Sequence, residues 1–163
     1  MDPLMRYTTF GHTGLHVSVA GLGTGGFSRL GLKTGLNEEQ SARLIHEAVA
    51  LGVNFIDTAP SYGTEGVVGR ALKTIPRDSV VVATKASVHR NGELLPAADV
   101  VASLDNSLRL MGTNHVDVFN LHVVELPTYD HALNVLGPAL ADQKRKGKIR
   151  HIGITENTIV DFT

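Results

Sequence analysis

Three apolar runs in this chain finish on an ionisable side chain: FID on Asp57, VVVATK on Lys85 and VDVFNLH on His122. Tyr62 follows Asp57 in the loop DTAPSYG. Brought together, these four groups could manage a proton at a carbonyl oxygen. A free phenol titrates at about pH 10 and a free amine at about 10.4, and an ammonium set beside a phenol favours the phenolate. Lys85 would play that part for Tyr62, and the Asp57 carboxylate would keep a buried Lys85 in its charged form. His122 would add a hydrogen bond to the substrate oxygen, completing a site that protonates oxygen while a hydride reaches carbon. Lys85 could instead be the Schiff-base nucleophile of an aldolase, a use that a carboxylate holding its proton in place argues against. Singly, each residue has an ordinary role: a loop cap, a turn aromatic, a solvated strand end, a structural histidine. Their joint placement at strand ends is what points to chemistry.

Those ends can meet only if the elements between them bring the strands side by side. YTTFGHTGLHVSVAG holds two short β-prone runs, Tyr7 to Phe10 and His16 to Ala20, with GHTG as hairpin punctuation. NEEQSARLIHEAVALG predicts a helix with Asn37 as N-cap, Gln40 closing a capping box, Leu44, Ile45, Ala48 and Val49 on one side, and Gly52 as terminator. NFIDTA follows as a strand, then a helix over 64–74, then VVVATK from Val80 as a strand buried on both faces. Pro96 opens a helix carrying Val101, Leu104, Leu108 and Met111, and VDVFNLH is the next strand. Residues 130–146 form a helix bent at Pro138, its basic end favourable to the dipole, and IRHIGIT is the last strand. Strand starts near 19, 54, 80, 116 and 149 lie 35, 26, 36 and 33 residues apart, the cadence of strand–helix units feeding a parallel sheet. Both an open doubly wound sheet and an eightfold barrel use that cadence.

The stretch GLGTGG, with Gly21, Gly23 and Gly26, has the spacing of a dinucleotide loop. In that loop the third glycine lies in a helix, whereas here FSRLGLKTGL follows Gly26 and the helical pattern starts about eleven residues later. The stretch therefore reads as turn chemistry. In a barrel all strand carboxyl ends open on one face, which makes Asp57, Lys85 and His122 neighbours.

Composition narrows the partners. The chain has 163 residues, 42% hydrophobic, with a formal net charge of −1, enough for one domain with a sizeable core and no electrostatic footprint for nucleic acid. It contains no cysteine, which fits a reducing compartment. The start MDPLMRYTTF lacks the apolar run of a signal peptide, and no stretch approaches the length of a membrane span, so a cytoplasmic location without membrane contact is expected. The histidines show no metal-ligand spacing, and no metal site is expected.

In order and spacing, YTTFGHTGLHVSVAGLGTG, GVNFIDTAPSYG, VVVATK, VDVFNLH and KGKIRHIGIT resemble the aldo-keto reductases over essentially the whole chain. The resemblance implies a (β/α)8 TIM-barrel type of α/β fold, incomplete, with an N-terminal β-hairpin (7–20) and about five parallel strands in βα units (19–163), forming one partial domain over 1–163. It implies that Asp57, Tyr62, Lys85 and His122 are the catalytic tetrad, with Tyr62 as general acid or base. Gly23, Thr24 and Asp57 fall where the family approaches the nicotinamide, and Thr155 and Asn157 where it holds the carboxamide, with Glu156 standing where the family has an asparagine. NADP(H) is expected ahead of NAD(H), and a small carbonyl compound or sugar as substrate. Three strands of a full barrel are missing, so the alternative is a truncated, inactive fragment acting as a binding or regulatory module. Its open sheet edges invite self-association.

Overall fold

The computed structural model describes residues 5–156, and the first long helix, α1 (Glu38–Ala50), begins where its sequence places it. The Asn37 side chain accepts the Gln40 backbone N–H at 2.9 Å, and Gln40 Oε1 accepts the Asn37 N–H at 3.0 Å. Two N–H groups with no intrahelical partner are thereby satisfied. The buried stripe runs through Ser41, Ala42 and Ile45; Leu44 faces outward.

Five strands form one parallel sheet: β3 (Leu22–Gly23), β4 (Phe55–Asp57), β5 (Val81–Ser87), β8 (Val116–His122) and β9 (Ile149–Ile154). Their order in space is their order in sequence. A doubly wound sheet would reverse direction at a switch point, and this one advances one way throughout, as the arc of a barrel does. The helices α1, α2 (Glu65–Leu72), α3 (Ala97–Met111) and α5 (Gly137–Arg145) provide the crossovers. Ile45, Val68, Leu104, Met111, Leu136 and Leu140 from the helical layer are fully buried in one cluster with Ile56, Val82, Phe119 and Ile149 of the sheet. The antiparallel hairpin of β1 (Tyr7–Thr9) and β2 (His16–Ser18) precedes the arc.

Four local departures from the sequence reading have physical causes. The first barrel strand starts at Leu22, because Ser18 exchanges hydrogen bonds with Asn54 (2.7 and 3.0 Å) and its hydroxyl donates to Ala20 O at 2.7 Å, which turns a corner after β2. β5 runs two residues beyond Lys85, so that lysine is interior to its strand. The last helix begins earlier, at α4 (Leu126–His131), with a cap at Glu125 and Thr128. Around Pro138 it relaxes into a π-helical segment, Ala132–Leu136, where the Gly137 N–H bonds to Ala132 O. Proline has no N–H and its ring crowds the carbonyl four residues back, and the wider turn relieves both. The fourth is a small hairpin, β6 (His89–Arg90) and β7 (Glu93–Leu94), turned by Asn91 (φ 54°) and Gly92 (φ 83°). Two left-handed residues of this kind make a type I′ turn, for which Asn-Gly is the favoured dipeptide.

Glu65, in the first turn of α2, is only 2% exposed. Its Oε1 accepts the Thr84 hydroxyl at 2.6 Å, and its carboxyl is buried beside the Ser107 hydroxyl. Burial raises its pKa, against the opposing pull of the Thr84 and Ser107 hydroxyls and the Lys85 charge. A carboxyl whose pKa is raised by folding binds protons more tightly in the folded than in the unfolded chain. Its stabilising contribution is therefore complete below the unfolded value and is lost as pH rises through the folded one. Glu65→Gln is expected to raise the melting temperature at pH 8 and to leave it unchanged at pH 4. Thermal melts at the two pH values check this; an equal shift at both would refute it.

Candidate active site

Register decides which side chains meet. Asp57 lies level with Ala83 of β5, Lys85 with Asn120 of β8, and His122 two residues beyond Asn120. Side chains alternate across a strand, so Asp57, Lys85 and His122 all stand on the same face, each two residues further along than the last. The stagger is the shear of a barrel wall, and it aims the three groups into its mouth.

Lys85 is 5% exposed, and its Nζ donates to Asp57 Oδ1 at 2.6 Å, Asp57 Oδ2 at 2.7 Å and Thr58 O at 2.9 Å. Those acceptors match the three N–H bonds of an ammonium and leave no lone pair for attack on a carbonyl, which disfavours the aldolase use of this lysine. Tyr62 ends a single 3-10 turn, Pro60–Tyr62. Lys85 Nζ lies 4.9 Å from the centroid of its ring, and the His122 ring meets it edge-on at 6.0 Å between centroids. A Cβ at Gly25 would stand 2.5 Å from the Tyr62 ring, so only glycine lets the β3 loop pack against it. His122 is held below the ordinary histidine pKa by burial and then by the Lys85 charge, with Asp57 opposing. It is neutral at pH 7, with a ring N–H to donate or a nitrogen to accept with, according to its tautomer.

Beneath these groups the hydroxyls of Thr24 and Thr58 both reach that of Thr64, at 2.7 and 3.1 Å. Thr24 is fully buried, and its backbone N–H donates to Asp57 O at 2.9 Å. Gly23 is exposed, in register with Asp57, with open space where a Cβ would sit. Thr155 accepts the Val123 N–H at 3.1 Å through its hydroxyl, bracing a residue with φ 60° at the end of β8. Asn157 lies outside the described residues.

Two contributors were not assigned to the site from sequence. A cavity of about 380 Å3 opens beside Lys85 and His122, and Ser61, Ser87 and His89 line it. His89 is presented by the β6–β7 hairpin, whose Asn-Gly turn was the legible signal. Arg29, in the loop after β3, sets its guanidinium carbon 5.1 Å from the centroid of the Tyr62 ring. Arg29, Leu30 and Gly31 all have positive φ, at 50°, 55° and 85°. For the two residues with side chains this costs about 1–2 kcal/mol each. Nothing in the local sequence announced that conformation.

The description of the family model that matches residues 20–162 is the aldo/keto reductase family. L-galactose dehydrogenase of Arabidopsis thaliana is 37% identical over 159 residues, covering 94% of this chain and 49% of that protein. The NADH-specific methylglyoxal reductase of Escherichia coli (strain K12) is 31% identical over 167 residues, covering 91% and 51%. The holo form of the aldo-keto reductase AKR11C1 from Bacillus halodurans superimposes with a TM-score of 0.77 at 28% identity, over 93% of this chain and 50% of that one. The chain thus spans about half the length of the relatives it matches. With a one-way parallel arc and a family model that covers nearly all of it, the chain belongs to the aldo/keto reductase family.

Proposed function

We propose that this chain carries the proton-transfer half of an NAD(P)-dependent oxidoreductase that interconverts a small carbonyl compound, an aldehyde, ketone or aldose, with its alcohol. The observation that carries this reading is the Lys85 ammonium, bound to both Asp57 oxygens and set 4.9 Å from the Tyr62 ring centroid beside an edge-on His122. In the direction of reduction the Tyr62 hydroxyl gives its proton to the substrate oxygen, and the Lys85 charge stabilises the phenolate that remains. His122 orients the carbonyl by a hydrogen bond, and Asp57 holds Lys85 in place. A bound nicotinamide supplies or accepts the hydride at carbon. The open ledge at Gly23 and the half-exposed Asp57 beside it fit one face of that ring, with Thr24 buried behind them and Thr155 at the end of β9. Asn157 is proposed as a further contact.

NADP(H) is proposed ahead of NAD(H), and one relative is by name NADH-specific. Titration of the chain with NADPH and with NADH, followed by fluorescence, tests both points. Saturable binding with the tighter constant for NADPH is expected; no saturable binding of either cofactor would refute the reading for this chain. The edges of β3 and β9, unpaired among the described residues, lead us to propose self-association, which sedimentation of the same samples checks, a monomer at all concentrations being the contrary result. No helix among the described residues is long and apolar enough to cross a membrane. A cytoplasmic setting is proposed from the absence of cysteine, and cell fractionation tests it.

A further inference from the structure

Arg29 is a charge beside Tyr62 that the reaction proposed above does not use. Its guanidinium carbon lies 5.1 Å from the ring centroid, its Nη1 is buried without a hydrogen-bond partner, and it forms no ion pair among the described residues. The turn that holds it is left-handed at three successive residues and is pinned by Leu30, 8% exposed, and by the Arg29 N–H to Gly26 O bond at 2.9 Å. A guanidinium kept partly buried without an anion, on a backbone that side chains disfavour, is an outlier of the kind that marks functional sites. What it covers is the aromatic face of the residue that handles the proton.

We propose that Arg29 is a positioning residue acting through Tyr62: its guanidinium, fixed over the ring by the left-handed turn, supports the negative charge left on Tyr62 after proton transfer. This rests on the reading of Tyr62 as general acid or base. During reduction the Tyr62 O–H bond breaks, the proton bonds to the substrate oxygen, and the electron pair stays on the phenolate. The hydride that completes the alcohol comes from the reduced nicotinamide, which leaves oxidised. Solvent then returns a proton to Tyr62. The other charged or titratable groups facing the ring are Lys85 from β5 and His122 from β8, with Asp57 of β4 behind Lys85.

The test is an ultraviolet pH titration of phenolate absorbance, taken as the difference between each protein and its Tyr62→Phe counterpart. Arg29→Gln is expected to displace the phenolate curve of Tyr62 to higher pH than in the unsubstituted chain, and Arg29→Lys to restore most of the displacement. A purely structural role would lower the melting temperature and leave the titration curves superimposed. Arg29→Asn, whose side chain tolerates left-handed backbone, makes the same comparison if the glutamine variant folds poorly. Coincident curves for the neutral variants and the unsubstituted chain overturn the proposal. A displaced curve supports it, and if it is found in a chain that turns over no aldehyde, it is the reductase reading that fails.

Discussion

Tyr62→Phe is expected to lower the turnover of an aldehyde with NADPH by about 10²–10⁴-fold, the contribution usual for a positioned general acid. The ring keeps its packing against Gly25 and its edge contact with His122, and the hydroxyl that is lost has no hydrogen-bond partner among the described residues. The melting temperature and the cofactor affinity should therefore stay where they were, which confines the effect to the chemical step. Single-turnover kinetics beside a thermal melt separate these quantities. If turnover survives, the proton comes from another group, with His122 the nearest candidate, and the assignment of Tyr62 fails.

Asp57→Asn is expected to cost about 3 kcal/mol of stability, at the lower end of the range for breaking a buried ion pair. The reason lies in an asymmetry. The Lys85 side chain is 6% exposed, whereas that of Asp57 is 32% exposed. Losing the carboxylate leaves a buried ammonium with the Thr58 carbonyl and an amide in place of its anion. Losing the lysine instead, as in Lys85→Met, leaves a carboxylate that water already reaches, at a cost of about 1 kcal/mol. For a chain of this size the first corresponds to a fall of about 6–12 °C in melting temperature and the second to about 2–4 °C. Equal shifts for the two variants would mean that Lys85 is better solvated than its burial implies.

Both predictions concern residues legible in the sequence, because each stands at or just beyond the end of an apolar run, where a charged side chain has no place in a core. The capping box at Asn37 and Gln40 and the proline effect near Pro138 were legible for a similar reason, since each depends on groups within a few residues of one another. The Asn-Gly turn of the β6–β7 hairpin belongs with them; its signal was present and bears on the cavity through His89. Arg29 had no such signal. Its left-handed turn exists because Leu30 finds a place in the core and the β3 loop closes on Tyr62, and both partners are remote in sequence. The hydroxyl of Thr24 turns inward to that of Thr64, forty residues away, a contact that no local pattern announces.

By itself the sequence determined the alternation of strands and helices, the identity of the four polar groups at the strand ends and the family they resemble, because hydrophobic period, caps and turn dipeptides act over short distances. Only the tertiary structure decided that the strands advance one way around an arc and that their register puts Asp57, Lys85 and His122 on one face. It alone showed the guanidinium over the ring of Tyr62. Strand order and register are set by packing between segments far apart along the chain, where a shift of one residue reverses every side chain, and no local pattern carries that information.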